Sequence, residues 1–330
     1  LAGFLLTAVP NWTGRLPVSG LPLLALFLLW CAGRAALLGV DAIGIVPAVV
    51  IDVAFLPALL AICTREIVAG KKWKDLKILA GILVLCLANA GFHACILLGI
   101  GPDLPGRMAT AAYVVLIMIV GGRILPSFTR NWLNKRGETR LPAPYGRTDI
   151  ASMAVAVLAL AVWVAFPENI WTGWVALAAA LAQAIRLSRW RGHATGAEGL
   201  VLVLHVAYGF VVLGFLAIAA TAFGVLDAVS SLHVLTVGSI GTMTLAVMTR
   251  ATRGHTGLDL HASRITVASY VCMVVASVVR PLAAFLPEIY MEAISVAGLA
   301  WMLAFLLYLL EYAPALTQKR RDLPYRRGKD

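Results

Sequence analysis

Two histidines and an aspartate stand where a titratable side chain is costly. His233 lies about one turn into the apolar run of SSLHVLTVGSIGTMTLAVMTRATRGHTG, residues 230–257, and His93 lies inside LANAGFHACILLGI, 87–100. Asp52 lies inside VVIDVAFLPALL, 49–60. An unpartnered polar group in a hydrocarbon environment costs of order several kcal/mol, so these positions ask for partners. At about 1.5 Å of rise per residue, His93 and His233 reach roughly 24 and 25 Å above the inner ends of their spans. They therefore share one layer in the outer half of a bilayer. His205, in LVLHVAYGF, sits roughly 10 Å above the inner boundary, and Asp52 roughly 10 Å in from the outer side.

Histidine is the commonest metal ligand and holds haem iron through a single ring nitrogen. Isolated histidines at a common depth are therefore what a haem or copper site requires, and His93, His233 and His205 are the candidate ligands. The alternative for each is a histidine satisfied by helix packing. Asp52 is a proton relay, a tuner of a ligand, or a buried acid held by a neighbouring Arg or hydroxyl. Arg280, before Pro281, suits a carboxylate such as a haem propionate, or a lipid headgroup. Gly238 and Gly241, with Ser239, Thr242 and Thr244, make a thin-sided helix below His233, open to a flat macrocycle or to a close neighbouring helix. His255 and His261, in GHTGLDLH, and His193, in SRWRGHATG, fall at inner exits, where histidine is ordinarily a wet loop residue. His255 is the reserve candidate for a metal site on the inner side.

The elements that must position these residues are membrane helices. Of 330 residues 61% are hydrophobic and only 13% charged, and the mean hydropathy is +0.90. Runs long enough to cross a bilayer fall near 21–40, 46–64, 77–100, 107–125, 149–166, 170–187, 198–223, 229–249, 264–286 and 289–311. The expectation is an all-α polytopic bundle of ten full spans. A partial span at LAGFLLTAVP suggests that the chain starts inside a helix. Of the 27 Lys and Arg, only Arg34, Arg107 and Arg280 fall on one side of the bilayer. The positive-inside rule makes the rich side, with the C-terminus, cytoplasmic, so the net charge of +11 reports topology and not a nucleic-acid surface. The five cysteines form no C-x-x-C pair and suggest neither disulfides nor thiolate metal sites.

Residues 1–312 read as one transmembrane domain with an inner-face linker at 126–148, and 313–330 as a basic cytoplasmic tail. Inner helix exits at 5–15 (LLTAVPNWTGR), 121–132 (GGRILPSFTRNW) and 245–257 (LAVMTRATRGHTG) resemble one another at intervals of ~120 residues, either because inner ends look alike or because the fold repeats in three four-helix arcs. No phosphate-binding loop, G-x-S-x-G elbow or H-E-x-x-H occurs, which removes the usual soluble-enzyme chemistries.

Several stretches together resemble the NnrS family of bacterial inner-membrane proteins: GFLLTAVPNWTGR at 3–15, LWCAGR at 29–34, IDVAFLPAL at 51–59, GGRILPSFTRNWL at 121–133, RWRG at 189–192, LHVLTVGSIGTMTLAVMTRATRGHTG at 232–257 and the closing EYAPAL at 311–316. The resemblance implies a twelve-helix membrane protein containing haem and copper, associated with denitrification and with tolerance of nitric oxide. It also implies a W-H-x-H-E-M-type motif upstream of Leu1 whose histidines would join the layer of His93 and His233. The three arcs would then parallel those of haem–copper oxidases, a likeness of fold alone. The function expected is the handling of nitric oxide or its adducts by a multi-pass protein of the bacterial inner membrane. In that reading His93 and His233 are ligands, His205 is a second haem or copper ligand, Arg280 anchors a propionate and Asp52 tunes a ligand or passes protons. The resemblance leaves the electron donor open. The alternatives are a transporter for a small solute or metal adduct with a His- and Asp-lined path, and a metal-free scaffold, which leaves the buried imidazoles unexplained.

Overall fold

A bilayer offers backbone N–H and C=O groups no water, so an apolar chain of this kind must satisfy them within helices. The computed structural model describes residues 1–317, and among them there is no strand. The helices are α1 (Ala2–Thr13), α2 (Leu21–Leu38), α3 (Val40–Ile43), α4 (Ile45–Val53), α5 (Phe55–Ala69), α6 (Leu76–Leu98), α7 (Asp103–Lys135), α8 (Arg147–Ala165), α9 (Ile170–Ser188), α10 (Gly199–Ala222), α11 (Ala228–His233), α12 (Thr242–Thr256), α13 (Arg264–Leu282) and α14 (Tyr290–Thr317). A π-helical segment, Val234–Gly241, joins α11 to α12. Among the described residues ten stretches are long and apolar enough to cross a membrane, which agrees with the spans read from the sequence.

Three helix ends run further than the hydropathy suggests. α7 continues through Pro126 to Lys135, α12 to Thr256 and α14 to Thr317. A helix has no reason to stop where its residues turn polar, because its hydrogen bonds are internal. The stretch expected as a linker, 126–148, is thus helical for its first ten residues, and the expected tail begins as the last turn of α14. The remainder of that tail lies outside the described residues.

Turn chemistry sets the ends. Asn169, Glu198, Asp227 and Ser263 each accept a backbone N–H at the start of α9, α10, α11 and α13, as N-caps do. Within the span Ile45–Ala69, Pro57 has no N–H to offer the Val53 carbonyl, and the helix breaks at Ala54, between α4 and α5, as a proline in an apolar run requires.

The chain gathers into two compact units, Leu1–Ile119 and the part from Val120 onward. In the first, Leu5 and Val9 of α1, Leu59, Cys63 and Ile67 of α5 and Ile78 and Ile82 of α6 form the core. In the second, α10 is the central element: 67% of its apolar window is buried, against 17% for α2. It packs on α9, the π segment and α12, while α13 lies along α14. All five cysteines are free thiols.

Candidate functional site

In the first unit Asp52 occupies the last turn of α4 and is 5% exposed. Gly33 of α2 lies so close to it that a Cβ there would stand 3.2 Å from the Asp52 Cα, so glycine eases the approach of this face of α2. That approach brings Arg34 within reach, and its guanidinium pairs with Asp52 Oδ1. The other oxygen, Oδ2, accepts from His93 Nε2 at 2.9 Å and lies 3.5 Å from Asn89 Nδ2. Asn89 and His93 are one turn apart on α6 and so share a face. A carboxylate only accepts, so Nε2 carries the hydrogen and the neutral ring keeps a bare lone pair on Nδ1.

In the second unit His233 is half-buried at the start of the π segment, and its Nδ1 donates to the Val229 carbonyl at 2.7 Å. Its Nε2 therefore holds the free lone pair. Single π turns inside α-helices are frequent at functional sites. The glycines of this segment lie close against neighbouring helices. A Cβ at Gly238 would stand 2.7 Å from the Phe210 ring, and one at Gly241 would meet Met273. Ser239 is fully buried, and its hydroxyl has no hydrogen-bond partner among the described residues.

The other candidates are held differently. His205 is buried on α10, with Nε2 2.8 Å from Thr129 Oγ1 and Gly192 against its Cγ–Nδ1 edge. Arg280 is half-buried and makes no hydrogen bond or ion pair among the described residues. His193 is exposed, and His255 is exposed in the last turn of α12. His261 pairs with the buried Glu198 at 2.8 Å, and Glu198 also accepts the N–H groups of Leu200 and Ala262.

The sequence reading missed one polar cluster of the second unit altogether. Arg186, 1% exposed, pairs with Asp149 at 3.0 Å and donates to the Tyr208 hydroxyl at 2.8 Å, which in turn donates to Gln183 at 2.7 Å. Its guanidinium also lies 5.1 Å from the centre of the Trp190 ring. Counting Arg186 with an inner loop hid it. The signal available was an opposite-sign pair at the ends of two adjacent spans.

A family model described as NnrS protein matches residues 1–320. The chain belongs to the NnrS family. No curated protein and no solved structure matches it, so the three-arc likeness rests on the sequence repeat alone. Membership supports, broadly, a nitric oxide-related membrane protein. Haem and copper, which the NnrS resemblance implies, can be tested against the donors. A histidine whose second nitrogen is tied to a carboxylate or carbonyl is the form in which imidazole binds metal, and His93 and His233 both have it. That fits an axial haem ligand, which needs one nitrogen. It does not make a self-contained copper site: among the described residues no group of three or more His, Cys, Asp or Glu could hold a metal ion. His233 and His255, on one helical span of this NnrS chain, are separated by roughly 33 Å of rise and cannot share an ion.

Proposed function

We propose that this protein is a haem-binding membrane protein that handles nitric oxide or its adducts, placed in the bacterial inner membrane with its basic side and C-terminus in the cytoplasm. The observation that carries the reading is the pair of oriented imidazoles, His93 tied to Asp52 and His233 tied to Val229, each with one lone pair left over. Bound haem supplies an iron centre that takes up nitric oxide and changes oxidation state.

The chain's own residues do the rest. Asp52 fixes the His93 tautomer and the direction of its free nitrogen, while Arg34 offsets the charge of Asp52. The Val229 carbonyl does the same for His233 without adding charge. Arg280, without a partner among the described residues, is available to a propionate. His205 is the poorer ligand, because the nitrogen it has left, Nδ1, is buried against Gly192. Copper needs further donors beside any one of these imidazoles, so haem is the group they fit.

A reduced-minus-oxidised absorption spectrum of the purified protein, recorded before and after nitric oxide is added, tests this. A Soret band that shifts with nitric oxide is expected, and His93→Ala or His233→Ala should remove or displace it. Stoichiometric protein without a Soret band would overturn the reading.

A transporter with a His- and Asp-lined path is the second reading. It is favoured by one observation: two spans are irregular beside the candidate residues, at Ala54 and at Val234–Gly241, and broken helices often mark transport sites. Uptake of a small solute by vesicles holding the protein, lost in Asp52→Asn while the spectrum stays unchanged, would select it.

A further inference from the structure

A second feature of the first unit stands apart from the histidines. At the basic ends of α1, α2 and α5 a cavity of about 440 Å³ is lined by Arg15, Leu16, Val18, Pro22, Arg65 and Glu66, among others. Glu66 is buried, with its side chain 4% exposed, and both guanidiniums converge on it. Arg15 reaches Oε2 through Nε at 2.6 Å, and Arg65 reaches Oε1 at 2.7 Å. One carboxylate between two guanidiniums leaves one net positive charge at the cavity wall. The Arg15 Nη groups meet no acceptor among the described residues, because that side chain bonds only through Nε. α2, an 18-residue helix, starts at the same wall with no side-chain cap, and its second residue, Pro22, has no N–H. Its N-terminal dipole adds to the same positive field.

Apart from Ser19, the rest of the wall is apolar, and the whole cavity sits at the ends of membrane spans, on the side the positive-inside rule makes cytoplasmic. Thr13 packs against Gly70, where a Cβ would stand 2.6 Å from the Thr13 Cβ. This holds the exposed Lys71 and Lys72 beside the same helix ends. A soluble anion gains nothing from the apolar half of such a wall, whereas a lipid uses both. We propose that this cavity binds the phosphate group of an anionic phospholipid of the inner leaflet, with Arg15 and Arg65 as donors and the apolar wall against the glycerol and first methylenes. Basic pockets between membrane helices on the cytoplasmic side are where such headgroups lodge, and the guanidinium fork matches phosphate oxygens.

Native mass spectrometry of the purified full chain, titrated with phosphatidylglycerol, with phosphatidylcholine of the same acyl chains and with inorganic phosphate, tests the assignment. One phosphatidylglycerol should be retained in preference to phosphatidylcholine, and millimolar inorganic phosphate should leave it in place. Arg65→Gln, which leaves Glu66 paired with Arg15, should weaken retention about fivefold. Glu66→Gln should shift retention the opposite way, because it removes the opposing charge and frees both guanidiniums. Equal retention of the two lipids, or an Arg65→Gln variant that binds like the parent, would overturn the proposal. Displacement of the lipid by inorganic phosphate alone would also overturn it, by assigning the cavity to a soluble anion.

Discussion

Asp149 in the second unit and Asp52 in the first are both buried carboxylates paired with arginine on a neighbouring helix, yet their surroundings differ. Around Asp149 the circle is closed: its partner Arg186 is itself 1% exposed, and Tyr208, Gln183 and Trp190 complete the shell. Around Asp52 it is open. Arg34 keeps half its side chain exposed, and His93 retains a ring nitrogen without a partner among the described residues. A polar network with every group satisfied rigidifies a fold and has nothing left to offer a ligand. One with a spare lone pair, held in a fixed direction, can do chemistry. Burial of a charge is thus a poor guide to function unless the donors and acceptors are counted to the end.

That contrast can be broken by measurement. Asp149→Ala should cost the most stability, about 4 kcal/mol, because Arg186 is left charged and enclosed. Thermal unfolding in detergent reads it, and the haem-region spectrum should stay unchanged in whatever protein remains folded. Gly122→Ala comes next at about 2 kcal/mol, because the added methyl would fall on the Arg186 guanidinium and overpack a site that cannot give way. Asp52→Asn should cost less, about 1 to 2 kcal/mol, since Arg34 can turn to solvent or headgroups. Its mark is spectral: a displaced Soret band, where Asp149→Ala leaves none. An Asp52→Asn variant with unfolding losses equal to those of Asp149→Ala and an unmoved spectrum would erase the distinction.

Asp227, at the exposed start of α11, is the control outside the membrane. Partial burial pushes its carboxyl up, but hydrogen bonds from the Ser230 hydroxyl and from nearby backbone N–H groups outweigh this and hold it below the usual range. A lowered folded-state pKa contributes stability that is present above the unfolded value, near ~3.9, and lost as pH falls through the folded one. Asp227→Ala should cost about 1 kcal/mol as a lost cap, while Asp227→Asn should keep the cap and lose this acid-side component of the melting curve. The smallest effect is expected at His233. Its bond is to its own helix four residues back, so His233→Ala should change unfolding by no more than about 0.5 kcal/mol while altering the spectrum.

How far the site was legible depends on how local each feature is. Asp52 and the two deep histidines stand out because a polar residue in an apolar run is visible one position at a time. Arg34, by contrast, counted only as an outer basic residue, and Asn89 carried no signal. Their meeting at Asp52 comes from α2 lying against α4 at Gly33, a fact of packing. The π segment was equally hidden, since VLTVGSIG has the composition of ordinary membrane helix. Glycines at 238 and 241 announce a close approach without saying what approaches, and Phe210 and Met273 settle that. Pro126 misled in the other direction: it reads as a helix end, and α7 passes through it.

The sequence by itself determined that this is a helical membrane protein, with ten apolar spans among the described residues and a few titratable groups inside them. It could do so because a bilayer admits only internally bonded backbone and penalises charge residue by residue, so composition along the chain is enough. Only the tertiary structure decided which nitrogen of each imidazole is spare, which arginine answers which carboxylate and which glycine faces are already filled. Those depend on how each helix is rotated and on contacts such as that between Asp52 and His93, 41 residues apart and 2.9 Å from atom to atom, and no local pattern encodes a rotation.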